Sequence, residues 1–520
     1  MIRSGTRART RTGARTSGLI PGFIVTVTVL VAAFVASRVR HGHTRRHKGA
    51  NRAAVGRRSR FGRNVQLAQL GANVGTVYAS TSARKVFASA ERRVELDRER
   101  ELRTADAVAE RLGQMKGALM KLGQMASYLD EGLPEPMRLA LAQLQSQAPP
   151  MSAALAAEVI ERELGAPPTE LFLEWDPVPI AAASIGQVHR AIVFDPASGT
   201  ERAVAVKVQY PGVQEAITAD LANADLLGAI LKQGFGSLDP TDMVEEIRER
   251  LTDELDYRLE ARNQQAFADY YRDHPHFHVP EVLEHFSTSR VLTTELATGH
   301  RFEEVLTWTQ DERDQAAEAI FRFVFRSLYR FRAFNGDPHP GNYLFHPGGK
   351  VTFLDFGLVK HFTPTEVDMF QRMISAAVIE PDPAEYRRII EHAGMLQRGA
   401  PVETEEAGRY FSRFYDPVRH DREMVWTPEY SSSIVRHTFD RTSPIAQYAT
   451  VPKSFVFIQR INLGLYAILG QLRARGNYRR IAEELWPMVD ADASTAMGAA
   501  EADWLTGLPV KLVTSAPADR

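Results

Sequence analysis

Two short segments decide how this sequence is interpreted: Asn335-Gly336-Asp337-Pro338-His339-Pro340-Gly341-Asn342 and, a few residues later, Leu354-Asp355-Phe356-Gly357. The first places the carboxylate of Asp337 and the amide of Asn342 five positions apart on one loop. In the second, Asp355 directly follows a short apolar run that is typical of a strand. Carboxylate and amide oxygens are suitable ligands for Mg²⁺, and a carboxylate can also position an acceptor beside a phosphate. The two segments therefore predict a site that handles Mg²⁺ and phosphate.

A lysine upstream of these segments lies on a predicted strand. Val204-Ala205-Val206-Lys207 belongs to the stretch Ile180–Tyr210, in which apolar and polar residues alternate around a turn at Asp195–Gly199. This pattern predicts a β-hairpin, from which Lys207 can point into a cleft and contact the α and β phosphates of a nucleotide. For this motif taken alone, a surface lysine on an edge strand is the alternative.

The order of these groups along the chain is that of a protein-kinase-type ATP site. A strand lysine, an acidic helical partner, an Asp followed five residues later by Asn, and an Asp-Phe-Gly occur in the expected sequence. Independent turn and surface explanations would have to coincide to produce the same order. Strands also precede long helical runs, as they do in a two-lobed kinase. We therefore predict an α+β, two-lobed protein-kinase-like fold that binds ATP and Mg²⁺.

The surrounding motifs resemble those of the UbiB/AarF family of atypical kinases. Residues 179–189 (PIAAASIGQVH) resemble the alanine-rich loop that replaces the kinase glycine loop in that family. Lys121-Leu122-Gly123-Gln124 resembles its KxGQ motif, and Glu254-Leu255-Asp256-Tyr257 with Glu260-Ala261 resembles its ExD helix. The resemblance covers residues 95 to 470, approximately.

This resemblance implies a role for each matching residue. It makes Lys207 and Glu260 the ion pair that aligns the phosphates, and Asn342 and Asp355 the Mg²⁺ ligands. Asp337 becomes the carboxylate of the catalytic loop. His339, between two prolines of the same loop, is expected to brace the turn.

The resemblance also implies the nucleotide contacts. The expected cofactor-binding residues, besides Lys207, are those of the alanine-rich loop, Ala181, Ala182, Ala183 and Ser184. The alanine methyl groups limit how closely this loop can approach phosphate, compared with glycine. Glu295 ends a strand-like segment where such kinases have the hinge that contacts adenine, although an ordinary strand-end carboxylate fits equally well.

A regulatory lid is implied upstream of the kinase core. Its residues are Lys121, Gly123 and Gln124 on an N-terminal helix and, facing Lys121, Glu254 and Asp256. Residues 111–115 (RLGQM) nearly repeat residues 121–125 (KLGQM), and ten residues of helix turn the two copies about 80° apart. Only one copy can cover the site, and the second matches the family motif. The first copy is better explained by close helix packing.

Departures from ordinary protein kinases argue against a peptide substrate. The catalytic loop reads Asn335-Gly336-Asp337 rather than His-Arg-Asp, so an arginine that would receive an activation-loop phosphate is missing. An Ala-Pro-Glu segment does not follow Asp355-Phe356-Gly357. These differences favour a small or lipid-like acceptor, or ATP hydrolysis.

Composition and charge bound the remaining possibilities. The chain has 520 residues, 44% of them apolar, which is enough for two or three compact units. It contains no cysteine, which excludes disulfide scaffolds, thiolate nucleophiles and sulfur-ligated zinc sites. The net charge of −1 conceals a basic arm, because seventeen Lys or Arg residues precede the first acidic residue, Glu91. Such an arm indicates an anionic partner, either nucleic acid or a lipid surface.

A membrane is favoured over nucleic acid by residues 18–37, which are uncharged, flanked by basic residues and long enough as a helix to cross a bilayer. The flanking charges predict that the kinase-like body is cytoplasmic. An organelle transit peptide, a cleaved secretory signal and a disordered tail are the alternatives. A second apolar stretch, Phe455–Leu472, contains Gln459 and Arg460 and is predicted to be a core helix rather than a second span.

The predicted organisation follows from these patterns. We expect a basic tail at 1–17, a transmembrane helix at 18–37, a basic juxtamembrane linker at 38–90, a helical extension carrying KxGQ at 91–165, an N-lobe at 166–301, a C-lobe at 302–500 and a C-terminal tail at 501–520.

Two functional hypotheses remain at this point. In the first, the chain is a membrane-associated atypical kinase or ATPase that acts on water or on a lipid or isoprenoid-quinone-related acceptor. In the second, it is a nucleotide-binding scaffold that supports quinone or lipid metabolism without phosphorylating a substrate. Either hypothesis implies an anionic lipid surface as a partner, and a complex with quinone or lipid biosynthesis enzymes is a further expectation.

Overall fold

The computed structural model describes residues 151–183, 185–196, 199–214, 255–336, 338–439, 443–450 and 452–507, which belong to one compact unit. The predicted transmembrane helix, the linker and the helical extension up to residue 150 lie outside this part of the chain. Within the described ranges, no helix is long and apolar enough to cross a membrane.

The N-lobe is built on a four-stranded antiparallel sheet. Its order is β1-β2-β3-β5, formed by β1 (Glu174–Ala183), β2 (Gly186–Asp195), β3 (Thr200–Gln209) and β5 (Val291–Glu295). The predicted hairpin around residues 195–199 is confirmed as β2 and β3. Alternation places Val204, Val206 and Val208, all 0% exposed, on one face of β3, and Lys207 on the other.

A helix covers the apolar face of this sheet. Helix α1 (Ala153–Leu164) begins after Ser152, whose side chain accepts a hydrogen bond from the N–H of Leu155, and ends at Gly165, whose φ of +87° suits glycine. Its buried residues Val159 and Ile160 belong to the same apolar cluster as the valines of β3. Helix α1, which the sequence assigned to the helical extension, thus packs with the N-lobe core. A short helix, α2 (Pro168–Leu171), leads from α1 into β1.

Helix α3 (Tyr257–Tyr270) connects the two lobes. The side chain of Asp256 caps it by accepting a hydrogen bond from the N–H of Arg258, which places Glu260 in the first turn. The first turn faces the N-lobe sheet, whereas Phe267 near the other end belongs to the C-lobe core.

The C-lobe is mainly helical. Its helices are α4 (Phe302–Val305), α5 (Gln310–Arg326), α6 (Pro364–Ile374), α7 (Pro383–His392), α8 (Thr404–Phe411), α9 (Asp416–Arg419), α10 (Pro428–Phe439), α11 (Lys453–Leu472), α12 (Tyr478–Leu485) and α13 (Ala496–Thr506). π-Helical turns at Ser327–Phe331 and Ser375–Ile379 extend α5 and α6. Single 3₁₀ turns occur at Glu284–Phe286, Pro340–Asn342 and Ser412–Tyr415.

Short strands line the boundary between the lobes. They are β4 (Phe277–His278), β6 (Ala333–Asn335), β7 (Tyr343–His346), β8 (Lys350–Phe353) and β9 (Val359–His361), with a separate pair β10 (Met424–Val425) and β11 (Arg475–Gly476). Strands β4, β8 and β7 form one small sheet, and β6 pairs with β9. Together with the N-lobe sheet, these elements confirm a kinase-like fold of mixed helices and strands.

The apolar stretch near the C-terminus is a core helix, as predicted. In α11, Ile461, Leu465 and Leu469 are 0% exposed and pack within the C-lobe core. The predicted start of the C-terminal tail, residue 501, lies within a helix. Helix α13 continues to Thr506 and carries Glu501, which is 1% exposed, so the C-lobe extends beyond residue 500.

Candidate functional site

Lys207 and Glu260 form an ion pair across the N-lobe. The Nζ of Lys207 donates to both carboxylate oxygens of Glu260, at 2.7 and 2.8 Å. The pair exists because β3 directs Lys207 away from the valine face and because the Asp256 cap fixes the first turn of α3. The structure thus brings together the two residues that were expected to align phosphates.

The environment keeps Lys207 positively charged. Its side chain is 17% exposed and that of Glu260 is 7% exposed. Burial favours the neutral amine, but the negative charges of Glu260 and Asp355 outweigh it and hold the pKa of Lys207 above its ordinary value. The ring of Tyr257 lies 5.0 Å from Nζ and adds a cation–π contact. A fixed cation therefore lies on the face of β3 that is turned away from α1.

Asp355 is held beside this ion pair by its neighbours. The N–H of Gly357 donates to Oδ1 of Asp355 at 2.9 Å, and Nδ2 of Asn335 donates to the Asp355 carbonyl at 2.6 Å. A methyl group on Gly357 would lie 3.3 Å from Oδ1 of Asp355 and 3.6 Å from Oε2 of Glu260. The carboxylates of Asp355 and Glu260 therefore border the same space beside Gly357.

Phe356 connects Asp355 to helix α3. Its ring is 0% exposed and lies 4.9 Å from the ring of Phe267, which in turn contacts Phe331 at 5.0 Å. Nδ2 of Asn263, also on α3, donates to the Phe356 carbonyl at 3.3 Å. The helix that positions Glu260 therefore also fixes the segment that carries Asp355.

The expected catalytic carboxylate, Asp337, lies outside the described residues, but the loop on both sides of it is well defined. The N–H of Gly336 donates to the Leu358 carbonyl at 2.6 Å. On the other side, the N–H of Gly341 donates to Nδ1 of His339 at 3.0 Å, so His339 braces the turn as predicted. These bonds hold Gly336 and the turn at His339 in place.

Asn342 lies at the start of β7, next to the end of β8. Its carbonyl accepts a hydrogen bond from the N–H of Leu354 at 3.0 Å. Asn342 therefore lies opposite Leu354, the residue that precedes Asp355. An amide oxygen and a carboxylate at adjacent strand ends suit Mg²⁺, which normally takes only one or two protein ligands and completes its shell with phosphate and water. In the described ranges, no group of three or more His, Asp or Glu side chains is arranged as a metal site.

The alanine-rich segment is a tight hairpin rather than an open loop. Ala181, Ala182 and Ala183 belong to β1 and pair with Val188, Gln187 and Gly186 of β2, respectively. Two residues separate the strands, and the first of them, Ser184, lies outside the described residues. The second, Ile185, is 2% exposed and packs with Tyr257 and Leu292, while its carbonyl accepts from the N–H of Tyr210 at 2.9 Å. The tip of the hairpin is thereby anchored to the N-lobe.

Gly186 and Tyr257 are two site residues that the sequence did not single out. A Cβ on Gly186 would overlap the Val208 carbonyl and would lie 2.8 Å from the Tyr257 hydroxyl. The hairpin can therefore lie this close to the backbone of β3 only with glycine at this position. Both residues stand inside motifs that carried the family resemblance, but their roles depend on a contact between segments far apart in sequence.

Glu295 ends β5, at the expected hinge. Its carboxylate lies 3.4 Å from Nε2 of His278, and hydrogen bonding to this ring lowers the pKa of Glu295. Its N–H donates to the Glu281 carbonyl at 2.9 Å, and that of Leu296 donates to the Ala203 carbonyl at 3.0 Å. The carboxylate is therefore turned toward β4, and both amides are used within the fold.

Of the predicted lid residues, the structure describes Asp256. Lys121, Gly123, Gln124 and Glu254 lie outside the described residues. Asp256 is exposed and serves as the cap of α3. Its expected contact with Lys121 stays a prediction.

Comparisons with known proteins place the chain among atypical kinase-like proteins. A family described as the ABC1 atypical kinase-like domain matches residues 143–390. The chain is 36% identical over 278 residues to the mitochondrial atypical kinase COQ8B of Rattus norvegicus, covering 52% of this chain and 51% of that protein. It is 31% identical over 291 residues to the mitochondrial atypical kinase COQ8 of Saccharomyces cerevisiae, covering 55% and 56% of the two chains. The chain thus spans about half the length of these curated relatives.

A solved structure covers more of the chain. It is the complex of Rv3197 with erythromycin from Mycobacterium tuberculosis, which is 33% identical and superimposes with a TM-score of 0.55. The similarity covers 76% of this chain and 98% of that one. Likeness therefore extends well beyond the ATP-site motifs.

Proposed function

Because the chain belongs to the UbiB family of atypical kinases, we propose that it binds Mg-ATP between its lobes and transfers the γ-phosphoryl group to water or to a small, lipid-like acceptor. The observation that carries this proposal is the ion pair between Lys207 and Glu260, with Asp355 held beside it. Phosphoryl transfer depends mainly on positioning and on neutralising phosphate charge, and this cluster provides a fixed cation for that purpose.

The roles proposed for the remaining site residues follow from the groups that their side chains can bind. Asn342 and Asp355 would hold Mg²⁺, which neutralises phosphate charge when it is bound. Lys207 would contact the α and β phosphates, and Glu260 would orient it. Asp337 would accept the proton of the attacking hydroxyl or water, between two flanking segments that the fold keeps in place.

The segment after Asp355 supports a small acceptor rather than a peptide. Only six residues separate Gly357 from the start of α6 at Pro364, and three of them form β9, which pairs with β6. Thr363 then caps α6, with its side chain accepting from the N–H of Glu366. A peptide-binding platform of the usual kind has no room to form in so short a segment. The erythromycin complex of the mycobacterial relative adds support for a small ligand.

A membrane-associated role in quinone or lipid metabolism completes the proposal. It rests on the basic arm, on the uncharged stretch 18–37 and on the family resemblance. Some relatives are mitochondrial or chloroplastic proteins, so organelle targeting is the alternative for the same N-terminal region. Enzymes of quinone or lipid biosynthesis are the proposed protein partners, and anionic lipid is the proposed surface.

A nucleotide-binding scaffold is the second candidate function. The anchored hairpin favours it, because Ile185 is packed against Tyr257 instead of remaining free to move over phosphates. In that case nucleotide occupancy would change the shape of the protein, and turnover would be incidental.

One experiment separates the two functions. Mg-ATP binding by calorimetry and phosphate release are measured for the full chain in liposomes, for wild type, Asp337→Asn and Asp355→Asn, with the exposed Asp492→Asn as a matched control. If the protein is an enzyme, Asp337→Asn should retain Mg-ATP binding but lose turnover, and Asp355→Asn should lose Mg²⁺-dependent nucleotide binding. Turnover that is unchanged in Asp337→Asn would favour the scaffold. If the wild type binds no nucleotide, both functions are wrong.

A further inference from the structure

A buried side-chain amide on β2, the second strand of the alanine hairpin, holds the backbone of Met151. The N–H of Met151 donates to Oε1 of Gln187 at 2.8 Å, and Nε2 of Gln187 donates to the Met151 carbonyl at 3.3 Å. Gln187 is 0% exposed, and on β1 its register partner is Ala182. Thirty-six positions in sequence separate Met151 from Gln187, so this contact ties the start of α1 to the hairpin.

His189 sets the orientation of this amide. Its Nε2 lies 2.9 Å from Nε2 of Gln187, its Nδ1 lies 2.9 Å from the Asp176 carbonyl, and its ring stacks on Trp175 at 4.6 Å. A carbonyl only accepts hydrogen bonds, so Nδ1 must carry the proton. In the neutral ring Nε2 then accepts from the Gln187 amide, which turns Oε1 toward the N–H of Met151. All four hydrogen bonds are satisfied with one tautomer and one amide orientation.

Protonation of His189 is incompatible with this arrangement. An added proton on Nε2 would face the NH₂ of Gln187, and turning the amide over would place NH₂ against the N–H of Met151. We propose that Gln187 and His189 form a clamp that fixes Met151, and thereby the point where the preceding segment reaches the hairpin, and that the clamp opens when His189 is protonated. Gln187 is thus a positioning residue that acts through the backbone of Met151.

The surroundings of His189 favour the closed clamp at neutral pH. The ring is 0% exposed, and burial lowers its pKa, while the Asp176 carbonyl and carboxylate act in the opposite direction. In the described residues, Asp176 on β1 is the charged group that acts on the ring, and β3 presents the apolar Val206 in register opposite it. The clamp should therefore open only below the usual range of histidine titration, which lies near a pKa of about 6.5.

The test is to measure hydrogen exchange at the Met151 amide in the full-length chain from about pH 5 to about pH 8. The rates are corrected for the intrinsic dependence of exchange on pH. In the wild type, protection is expected at neutral pH and is lost at the acid end. Gln187→Ala should reduce protection about tenfold at neutral pH, because the acceptor is gone, and should remove the dependence on pH. Gln209→Ala is the matched control, since this buried glutamine on β3 donates to the Leu255 carbonyl and has no part in the clamp.

Gln187→Glu gives a result that a simple packing role would not. In this variant the carboxylate favours the protonated imidazole, which donates from Nε2 to one carboxylate oxygen while the other oxygen accepts from the Met151 N–H. Protection should therefore persist at the acid end, where the wild type loses it. Exchange of the β3 amides reports whether each variant is folded. A protected Met151 in folded Gln187→Ala, or the same pH profile in Gln187→Glu and wild type, would overturn the clamp.

Discussion

Gly464 on α11 lies directly against Pro338 of the catalytic loop. A Cβ on Gly464 would overlap Cγ of the Pro338 ring and would lie 3.3 Å from the Pro338 carbonyl. The surface of a C-lobe core helix therefore fixes the position of Pro338, the residue that follows the expected catalytic aspartate in sequence. Gly464 lies outside the motifs that predicted the ATP site.

Gly464→Ala is therefore expected to displace the catalytic loop. The added methyl should cost about 1–3 kcal/mol of stability through overpacking. Phosphate release should fall at least about tenfold, because small displacements of a reacting group have large kinetic effects. Thermal unfolding and Mg-dependent phosphate release measure the two effects.

The matched control is Gly408→Ala in α8, where a Cβ would have no neighbour within 4 Å. Alanine there should leave turnover unchanged and stabilise the protein by up to about 1 kcal/mol through helix propensity. Equal effects of the two substitutions on turnover would show that the contact with Pro338 has no role in positioning the loop.

The ion pair between Lys207 and Glu260 should be measurable as a coupling energy. A double-mutant cycle with Lys207→Met and Glu260→Gln, followed by urea unfolding, is expected to give about 1–3 kcal/mol, because both groups are largely buried. The exposed pair Arg190 and Glu174, 3.4 Å apart, should give less than about 1 kcal/mol. Additive effects at Lys207 and Glu260 would contradict a functional ion pair.

The charged part of the site could be anticipated because each residue type has a chemical task and a fixed order along the chain. Lys207, Glu260 and Asp355 were expected to meet, and the structure brings them together. Likewise, alternating residues were sufficient to predict β2 and β3, since a half-buried strand has a period of two.

The contacts that hold these residues in place could not be anticipated in the same way. Whether α1 belongs to the extension or to the N-lobe depends on which surface its apolar face covers. That surface includes the valines of β3, about 40 or more residues away in sequence. The anchoring of Ile185 by Tyr257 and the close approach of Gly464 to Pro338 are also tertiary contacts. Local pattern carries no signal for such pairs.

Glu295 provides a test of how a nucleotide would be recognised at the hinge. Its carboxylate is directed at His278 and its N–H is bonded to Glu281, so Glu295→Gln should change the dissociation constant of Mg-ATP by less than about threefold, below 1 kcal/mol. Calorimetry with the full chain measures this, with Glu281→Gln as the control. A loss of tenfold or more, confined to Glu295→Gln, would mean that the carboxylate contacts the nucleotide.

The last helix is fastened by a buried carboxylate. Glu501 contacts Nε of Arg326, NH1 of Arg322 at 3.0 Å and Nε2 of His274 at 3.4 Å, and neither arginine is more than 4% exposed in its side chain. Burial opposes the charge of Glu501, but Arg326, His274 and Arg322 together hold its pKa well below the ordinary range. Removing one member of such a cluster leaves buried charges without their partner.

Glu501→Gln should therefore destabilise the C-lobe by about 3–5 kcal/mol at neutral pH. Because the folded-state pKa of Glu501 is depressed, its contribution is fully present above the unfolded pKa of about 4.3 and is lost as the pH falls below that value. Urea unfolding of wild type and variant between neutral and acid pH should show a difference that narrows in this acid range. The exposed Glu303→Gln on α4 is the matched control and should change stability little at any pH. A difference that is independent of pH, or one that Glu303→Gln reproduces, would show that the Glu501 charge does not fasten the helix.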